Sequence, residues 1–469
     1  MNITFHGAAR TVTGSKHLIH ITNPDKKILL DCGMFQGMGK DTQTLNSEFG
    51  FDPKEIDHVI ISHAHIDHVG LLPKLVKDGY KGKIYCTPAT ASLAKLLLLD
   101  SAHIQETDIR FVNKQRDREH REHEEPLYTE DDALKVFPLF ETIPYGEHFK
   151  VDKGIELMYT DCGHILGSAA INLRITENGQ LTTLTFSGDV GRYNDMILRT
   201  PEVFPQADYI LIESTYGDRL HDHITVATDK LLQNIVQTCL KNKGKLIIPA
   251  FSLGRTQEVL YMLNQLELQH RLPPLTYYVD SPLSIKVTET IKKYPDYFND
   301  DVKKLLRQDD DVFSFNGLKY IDDAKDSIAL NDDSTPCVII SASGMAEAGR
   351  VKHHIANNVG DARNTILFTG YCEPLSLGGR LKKKPEEVHI YGQTFPVKAK
   401  IDEINSLSAH GDYNDLCQWL SCQDPKAIKK IFLVHGDYDV QQHFREKLLT
   451  KGFTDIEIPA MHQTIELGA

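Results

Sequence analysis

The stretch His63-Ala64-His65-Ile66-Asp67-His68 decides how the rest of this chain is read. It follows an apolar, β-rich run, His58-Val59-Ile60-Ile61-Ser62, and so leaves the end of an expected strand. In an extended exit, side chains two apart point the same way, which aims His63 and His65 at one point. The turn that follows presents Asp67 and His68 toward a second point. Imidazole and carboxylate are donors that Zn2+ accepts, and four of them within six residues predict a metal site. Two ions about 3.5–4 Å apart, bridged by oxygen, are the usual hydrolytic arrangement.

Three more candidates stand further along, each beside an apolar run and bordered by glycine. They are His164 in Asp161-Cys162-Gly163-His164, Asp189 in Ser187-Gly188-Asp189, and His435 in Val434-His435-Gly436. Such places are where a rigid scaffold hands side chains to a functional loop. A lone histidine beside a strand is more often a satisfied structural residue than a ligand, but beside the His63 to His68 cluster the metal reading is preferred. His103, His120, His123, His221, His223, His353 and His354 are read differently. The run Arg118-Glu119-His120-Arg121-Glu122-His123-Glu124-Glu125 predicts a solvated, charged helix face.

Around these motifs, short strands are expected at 17–21, 27–31 and 58–62, followed by a helical zone over 91–115 and a helix capped by Thr129. Strands return at 156–160, 169–175, 181–187 and 209–213. From 226 onward helix and strand alternate: helix 226–242, strand 245–249, helix 255–266, strand 275–279, then strands 337–341 and 365–369. That rhythm predicts an α/β unit with a parallel sheet. The polar, acidic stretch 305–333 is expected to be loop with one short strand. Helix 413–421, strand 430–434, helix 440–450 and a last strand close the chain.

With 469 residues, 41% of them hydrophobic, the chain can form two compact units or one unit carrying a large insertion. No run approaches the ~20 apolar residues of a membrane-spanning helix, and the first residues lack a basic segment followed by an apolar one. The cytoplasm is therefore the expected compartment, with no membrane partner. The eight cysteines include no CxxC pair, which suits reduced thiols better than a disulfide framework. A net charge of −13 excludes a surface that attracts polyanions everywhere, so nucleic acid would have to be held by a local basic lining or by bound metal.

With these motifs in hand, the chain resembles the metallo-β-lactamase superfamily and, within it, the β-CASP nucleases. That family includes the cleavage subunit of the pre-mRNA 3′-end machinery and bacterial homologues. The resemblance implies an α/β protein: a metallo-β-lactamase αββα sandwich made of residues 1–214 and 393–469, with an inserted α/β β-CASP domain at 215–392. It implies that His63, His65 and His164 hold one Zn2+, that Asp67, His68 and His435 hold a second, and that Asp189 bridges the two. Asp31, in Leu29-Leu30-Asp31-Cys32-Gly33, matches the family's first motif and supports the ligands from behind.

Glu213 in Ile212-Glu213-Ser214-Thr215-Tyr216-Gly217 is similar to motif A, His410 in Ser408-Ala409-His410-Gly411-Asp412 to motif B, and His435 to motif C. A histidine at motif C is associated with RNA-processing members. Pro249-Ala250-Phe251-Ser252-Leu253-Gly254-Arg255 and Ser341-Ala342-Ser343-Gly344-Met345 are similar to signature loops of the insert. The stretch Gly370-Tyr371-Cys372-Glu373-Pro374-Leu375-Ser376-Leu377-Gly378-Gly379-Arg380 departs from the pattern. Leu375 stands where the family usually has glycine, and an extra glycine precedes Arg380.

Read without the resemblance, Glu213 and His410 fit a buried polar partner and a cap as well as they fit catalysis. With it, the expected chemistry is hydrolysis of phosphodiester bonds in single-stranded RNA by a two-metal hydroxide mechanism, with endonucleolytic and exonucleolytic attack both open. Asp67, Asp189, Glu213 and His410 are then the catalytic residues. His410 would be the general acid, its tautomer set by Glu213. Arg255, Arg350 and Arg380 either pair with carboxylates or, together with Ser343, Gly344 and Ser408, line the RNA path. The alternatives on the same fold are a DNA nuclease, a small-molecule hydrolase, and a catalytically silent RNA-binding subunit. A homodimer is what similar bacterial proteins suggest, and the short stretch after His435 leads to the expectation that the further C-terminal domain of some of them is missing.

Overall fold

The computed structural model describes residues 1–221 and 225–468, so His223 lies outside the described residues. Two compact units emerge from the packing: Met1–Tyr193, Thr200–Leu220 and His410–Ala469 form one, and Asn194–Arg199 with His221–Ala409 form the other.

The first unit is built on two seven-stranded sheets. One runs in the order Thr464–Glu466, Asn2–Phe5, His17–Ile21, Lys26–Leu30, His58–Ile60, Lys83–Cys86, Phe140–Thr142. The other runs Ile456–Glu457, Lys430–Val434, Tyr209–Glu213, Gln180–Phe186, Ala169–Glu177, Ile155–Asp161, Phe149–Asp152. Strand side chains alternate between faces, and each sheet turns an apolar face to the other. Ile3, Phe5, Ile19, Ile28, Leu30 and Ile60 from one sheet meet Leu157, Tyr159, Ile171, Leu184, Phe186, Leu211 and Phe432 from the other in a single buried cluster. Each such side chain contributes roughly 1.5–3 kcal/mol by leaving water.

The opposite face of the second sheet needs its own cover, because Ile210, Ile212, Ile431 and Leu433 point outward from it. Trp419 of helix Tyr413–Leu420 and Phe444 and Leu448 of helix Tyr438–Thr450 supply that cover. Helix Pro88–Arg118 packs on strand Phe140–Thr142 and on helix Glu130–Val136 beside the first sheet. The layers thus run helix, sheet, sheet, helix.

Strand direction positions the site. Lys26–Leu30 and His58–Ile60 are parallel neighbours, as are Gln180–Phe186, Tyr209–Glu213 and Lys430–Val434. Ile155–Asp161 and Gln180–Phe186 both run antiparallel to Ala169–Glu177 and therefore share a direction. Asp31, His63, His164, Asp189, Glu213 and His435 all lie at the carboxyl ends of these strands. That edge is where open α/β sheets present side chains to ligands.

The second unit carries a six-stranded sheet, ordered Leu318–Tyr320, Thr276–Val279, Cys337–Ser341, Leu246–Pro249, Thr365–Phe368, Lys400–Glu403, with every pairing parallel. Its central strands Cys337–Ser341, Leu246–Pro249 and Thr365–Phe368 are buried throughout and mostly apolar, as strands covered on both faces are. Ile247, Ile366 and Phe368 pack against Val351 and Ile355 of helix Arg350–Asn358 and Leu377 and Leu381 of helix Leu377–Lys382.

Two expectations are corrected. The stretch 305–333 holds more than one short strand: after Leu318–Tyr320 comes helix Ala324–Asp332, with the Asp323 side chain accepting a bond from the Lys325 amide. The helix buries only Ser327 and Leu330, so no apolar stripe announces it. The run beginning at Arg118 is not a helix face, because the helix stops there. Residues 119–125 fold back, with Asn113 donating to Glu124 O at 2.9 Å and Arg116 Nε donating to Glu122 O.

Trp419 is the one tryptophan in the chain; it is buried and stacks on Phe204 with ring centroids 4.1 Å apart. Trp419→Ala should cost ~3–5 kcal/mol of stability. Urea unfolding followed by circular dichroism measures it, and a loss under ~1 kcal/mol would mean this contact does not hold the helix layer in place.

Candidate metal centre

The turn bearing the first cluster is held by its backbone. Ser15 N–H donates to Asp67 O at 2.8 Å, Cys32 N–H to His68 O at 2.8 Å, and Met34 N–H to Ile66 O at 3.0 Å. This lattice requires glycine at position 33, where a Cβ would lie 1.6 Å from Asp67 O. His65 is extended (φ −60°, ψ 147°) at the start of the short helix Ile66–Val69, so the chain turns between His65 and Asp67 and sends them different ways. His435 and Asp31 adopt left-handed backbone, at φ 48° and 57°, which non-glycine residues hold only when the surroundings compel it. The His435 N–H donates to Ala8 O at 2.7 Å.

The side chains converge in two sets. His63 Nε2 and His164 Nε2 each lie 3.2 Å from His65 Nδ1 and 3.4 and 3.5 Å, respectively, from Asp189 Oδ2. His435 Nε2 lies 3.3 Å from His68 Nε2 and 3.4 Å from Asp67 Oδ2. Asp189 Oδ2 is also 3.4 Å from His68 Nε2, so this one carboxylate touches both sets. Within each set the donor atoms lie within 4.8 Å of one another.

The arrangement fits a divalent cation. His65 Nδ1 faces two other ring nitrogens at once, and a lone pair cannot be satisfied by protons from both sides. Asp189 is 2% exposed and its Oδ1 accepts no hydrogen bond, an expensive state for a carboxylate without a cation. A soft-borderline ion that takes imidazole and carboxylate resolves both. Burial, then the neighbouring His68, pushes the His63 imidazole down to about 3, and burial takes His65 to about 4, leaving both as neutral lone-pair donors. Burial opposes protonation of His68 too, but the carboxylates of Asp189 and Asp31 outweigh it and raise its pKa well above the usual value.

Asp31 supports His68 from behind, its Oδ2 lying 2.6 Å from His68 Nδ1. Ser62 N–H, Ser62 Oγ and Ser15 Oγ also donate to this carboxylate at 2.8, 2.9 and 3.1 Å. With the Nδ1 proton directed at Asp31, the ring turns Nε2 of His68 inward, where a bound cation would take the place of its proton. Thr215 Oγ1 lies 3.1 Å from His435 Nδ1 and plays the same part for that ring.

Beside Asp189 stands a second pair. His410 Nδ1 is 3.2 and 3.1 Å from the two oxygens of the fully buried Glu213, and 3.8 Å from Asp189 Oδ2. Val190 N–H fixes Glu213 by donating to Oε1 at 2.6 Å. Burial disfavours the imidazolium, yet Glu213 and then Asp189 prevail and raise the His410 pKa to about 9.

Arg255, Ser343, Gly344, Arg350, Arg380 and Ser408 belong to the second unit. Arg350 Nη1 donates to Asp280 Oδ1 at 2.6 Å and to Ile321 O at 3.1 Å, and Nη2 donates to Asp322 O at 2.6 Å. Arg255 is buried, with Nη1 donating to Glu258. Arg380 is partly exposed, 3.9 Å from Glu347, and Ser408 is half-buried. The atypical stretch has a simple local reason. Leu375 has no left-handed backbone and is 71% exposed, so nothing there demands glycine. Gly379 does meet a demand: its Cβ would lie 2.1 Å from Glu373 O, where the loop closes on the helix capped by Ser376.

Ser15, Ser62 and Thr215 went unnoticed in the sequence. Ser62 and Thr215 adjoin motif residues, which is the one signal that could have pointed to them. Ser15 has no such neighbour.

A two-sheet sandwich with histidines and aspartates gathered at its carboxyl edge defines a metallo-hydrolase. Three domain descriptions match the chain: "Metallo-beta-lactamase superfamily" over residues 17–150, "Beta-Casp domain" over 256–381, and "Zn-dependent metallo-hydrolase RNA specificity domain" over 394–459. The chain belongs to the β-CASP family of the metallo-β-lactamase superfamily. It is 34% identical to "Ribonuclease TTHA0252" of Thermus thermophilus, covering 96% of this chain and 95% of that protein. It is 30% identical to "Transcription termination factor FttA" of Methanosarcina mazei (97% and 71%) and 30% identical to "Cleavage and polyadenylation specificity factor 73" of Drosophila melanogaster (88% and 56%). Among the described residues, no helix is long and apolar enough to cross a membrane.

Asp31→Asn keeps the shape but removes the charge that orients His68. It should weaken metal binding ~10–100-fold. Chelator competition measures this, and an unchanged affinity would mean the contact is incidental.

Proposed function

We propose that this chain is a ribonuclease that hydrolyses phosphodiester bonds of single-stranded RNA at a centre of two Zn2+ ions. One observation carries the reading: Asp189 touches both donor sets, and His410, backed by Glu213, stands 3.8 Å from it. His63, His65 and His164 would hold one ion and Asp67, His68 and His435 the other, with Asp189 shared. Bound there, Zn2+ supplies Lewis acidity, which acidifies water and offsets charge on the phosphoryl oxygens. The names of the relatives, a ribonuclease and a cleavage factor among them, support RNA as the substrate.

The protein's own groups do the rest. Glu213 accepts the Nδ1 proton of His410 and favours the imidazolium, so Nε2 carries a proton that can pass to the leaving ribose oxygen. His410 is 22% exposed, open enough to reach substrate, while Glu213 is shielded from water and keeps its full charge effect on the ring. Ser343, Gly344, Arg380 and Ser408 contact the RNA backbone in this reading. Arg255 and Arg350 act more as braces, since their guanidinium groups already serve Glu258 and Asp280. Phosphate contacts of this kind give little sequence preference.

Asp189→Ala and His68→Ala should each abolish cleavage of a labelled single-stranded RNA; full activity in either would remove the basis of the reading. RNA and DNA of equal sequence, assayed side by side, should show cleavage of the RNA, and preferential cutting of DNA would overturn the substrate assignment. His410→Ala should lower kcat ~10²–10⁴-fold. A general acid works below its pKa and fails above it. Glu213→Gln, by removing the charge that raises the His410 pKa, should move the alkaline limb of the kcat profile to lower pH, and a limb that stays in place would exclude His410 as the acid.

A further inference from the structure

Lys16 is fully buried in the first unit, and among the described residues no carboxylate pairs with its ammonium. Its Nζ donates to Gly14 O at 3.1 Å and to Gly33 O at 2.8 Å, and sits 4.2 Å from the centre of the Phe35 ring. An unpaired buried lysine is costly, so what it binds should matter. The two carbonyls belong to the two loops that grip the His65 to His68 turn. Ser15, between Gly14 and Lys16, donates its N–H to Asp67 O and its Oγ to Asp31. Gly33 lies against Asp67 O and donates its N–H to Ser15 O at 2.9 Å, while its neighbours Cys32 and Met34 donate to His68 O and Ile66 O.

Resting on the two-ion reading above, we propose that Lys16 is a positioning residue: by tying the Gly14 and Gly33 carbonyls together, it sets the zinc affinity of the Asp67, His68 and His435 half of the centre. The other half shares this support only through His65, which opens the same turn. His63 is braced by Ser62, while His164 and Asp189 come from the second sheet, on loops that make none of these bonds. Burial lowers the Lys16 pKa to about 7, yet a neutral amine still has two N–H donors for two carbonyls, so the tie survives either protonation state.

The experiment titrates the metal-free full-length protein with Zn2+ and counts bound zinc per chain by mass spectrometry. The wild type should bind two ions, and Lys16→Met should weaken one of them ~10–100-fold while leaving the other within a factor of about two. Lys16→Arg, which keeps the donors, should restore most of the loss. Adding His435→Ala to Lys16→Met should remove the weakened ion and spare the tight one, whereas adding His164→Ala should remove the tight one. The proposal is overturned if Lys16→Met binds both ions normally, or loses both in parallel with a fall in the melting temperature of the metal-free protein, which would be a merely structural effect. Should Lys16→Met not fold, Lys16→Leu, which likewise removes the donors, replaces it under the same criteria. A wild type that binds one ion would instead refute the two-ion reading, which separates the two failures.

Discussion

The structure depends on gathering groups that have no business together in an apolar sandwich. Five histidines and two aspartates meet at the carboxyl edge of two sheets, most of them buried. Without a cation, the imidazoles oppose lone pairs and the Asp189 carboxylate lacks a full set of partners. Such an arrangement persists only where the scaffold is rigid enough to hold it against its own strain. Rigidity comes from the core between the sheets, where Leu30, Ile60, Phe186 and Val434 lie next to the residues that deliver Asp31, His63, Asp189 and His435.

The electrostatic pattern divides the cluster by task. His63 and His65 are held neutral by burial, whereas His68 and His410 are driven toward the charged form by carboxylates behind them. Neutrality suits His63 and His65 to donate lone pairs, whereas the charged form suits His410, which stands outside the two donor sets, to carry a proton. Asp189 sits between these roles, touching His63, His164, His68 and His410.

The second unit follows a different logic. Two of its motif arginines, Arg255 and Arg350, serve internal carboxylates: Glu258 pairs with the first, and Asp280 is buried among Arg350, His354 and Ser327, which donate to its two oxygens. Those bonds anchor helix Arg350–Asn358 to the end of strand Thr276–Val279 and to helix Ala324–Asp332. The turn that follows strand Thr276–Val279 is therefore held by charged and polar side chains rather than by apolar packing.

The sequence by itself determined the local things. Apolar runs of the right length placed most strands, such as Tyr209–Glu213 and Cys337–Ser341, because a buried strand has an unmistakable composition. The spacing of His63, His65, Asp67 and His68 declared a cluster of metal-type donors, because ligand identity and strand exit are local properties. Helix Ala324–Asp332 stayed hidden since it buries too little to leave a stripe, and residues 119–125 were misread since charge alone cannot tell a helix face from a loop. Only the tertiary structure decided which donors face one another, that Lys16 serves two carbonyls, and that Arg350 turns inward. Those outcomes depend on contacts between residues far apart in the chain, such as His68 with His435, and no local pattern encodes a distance across a fold.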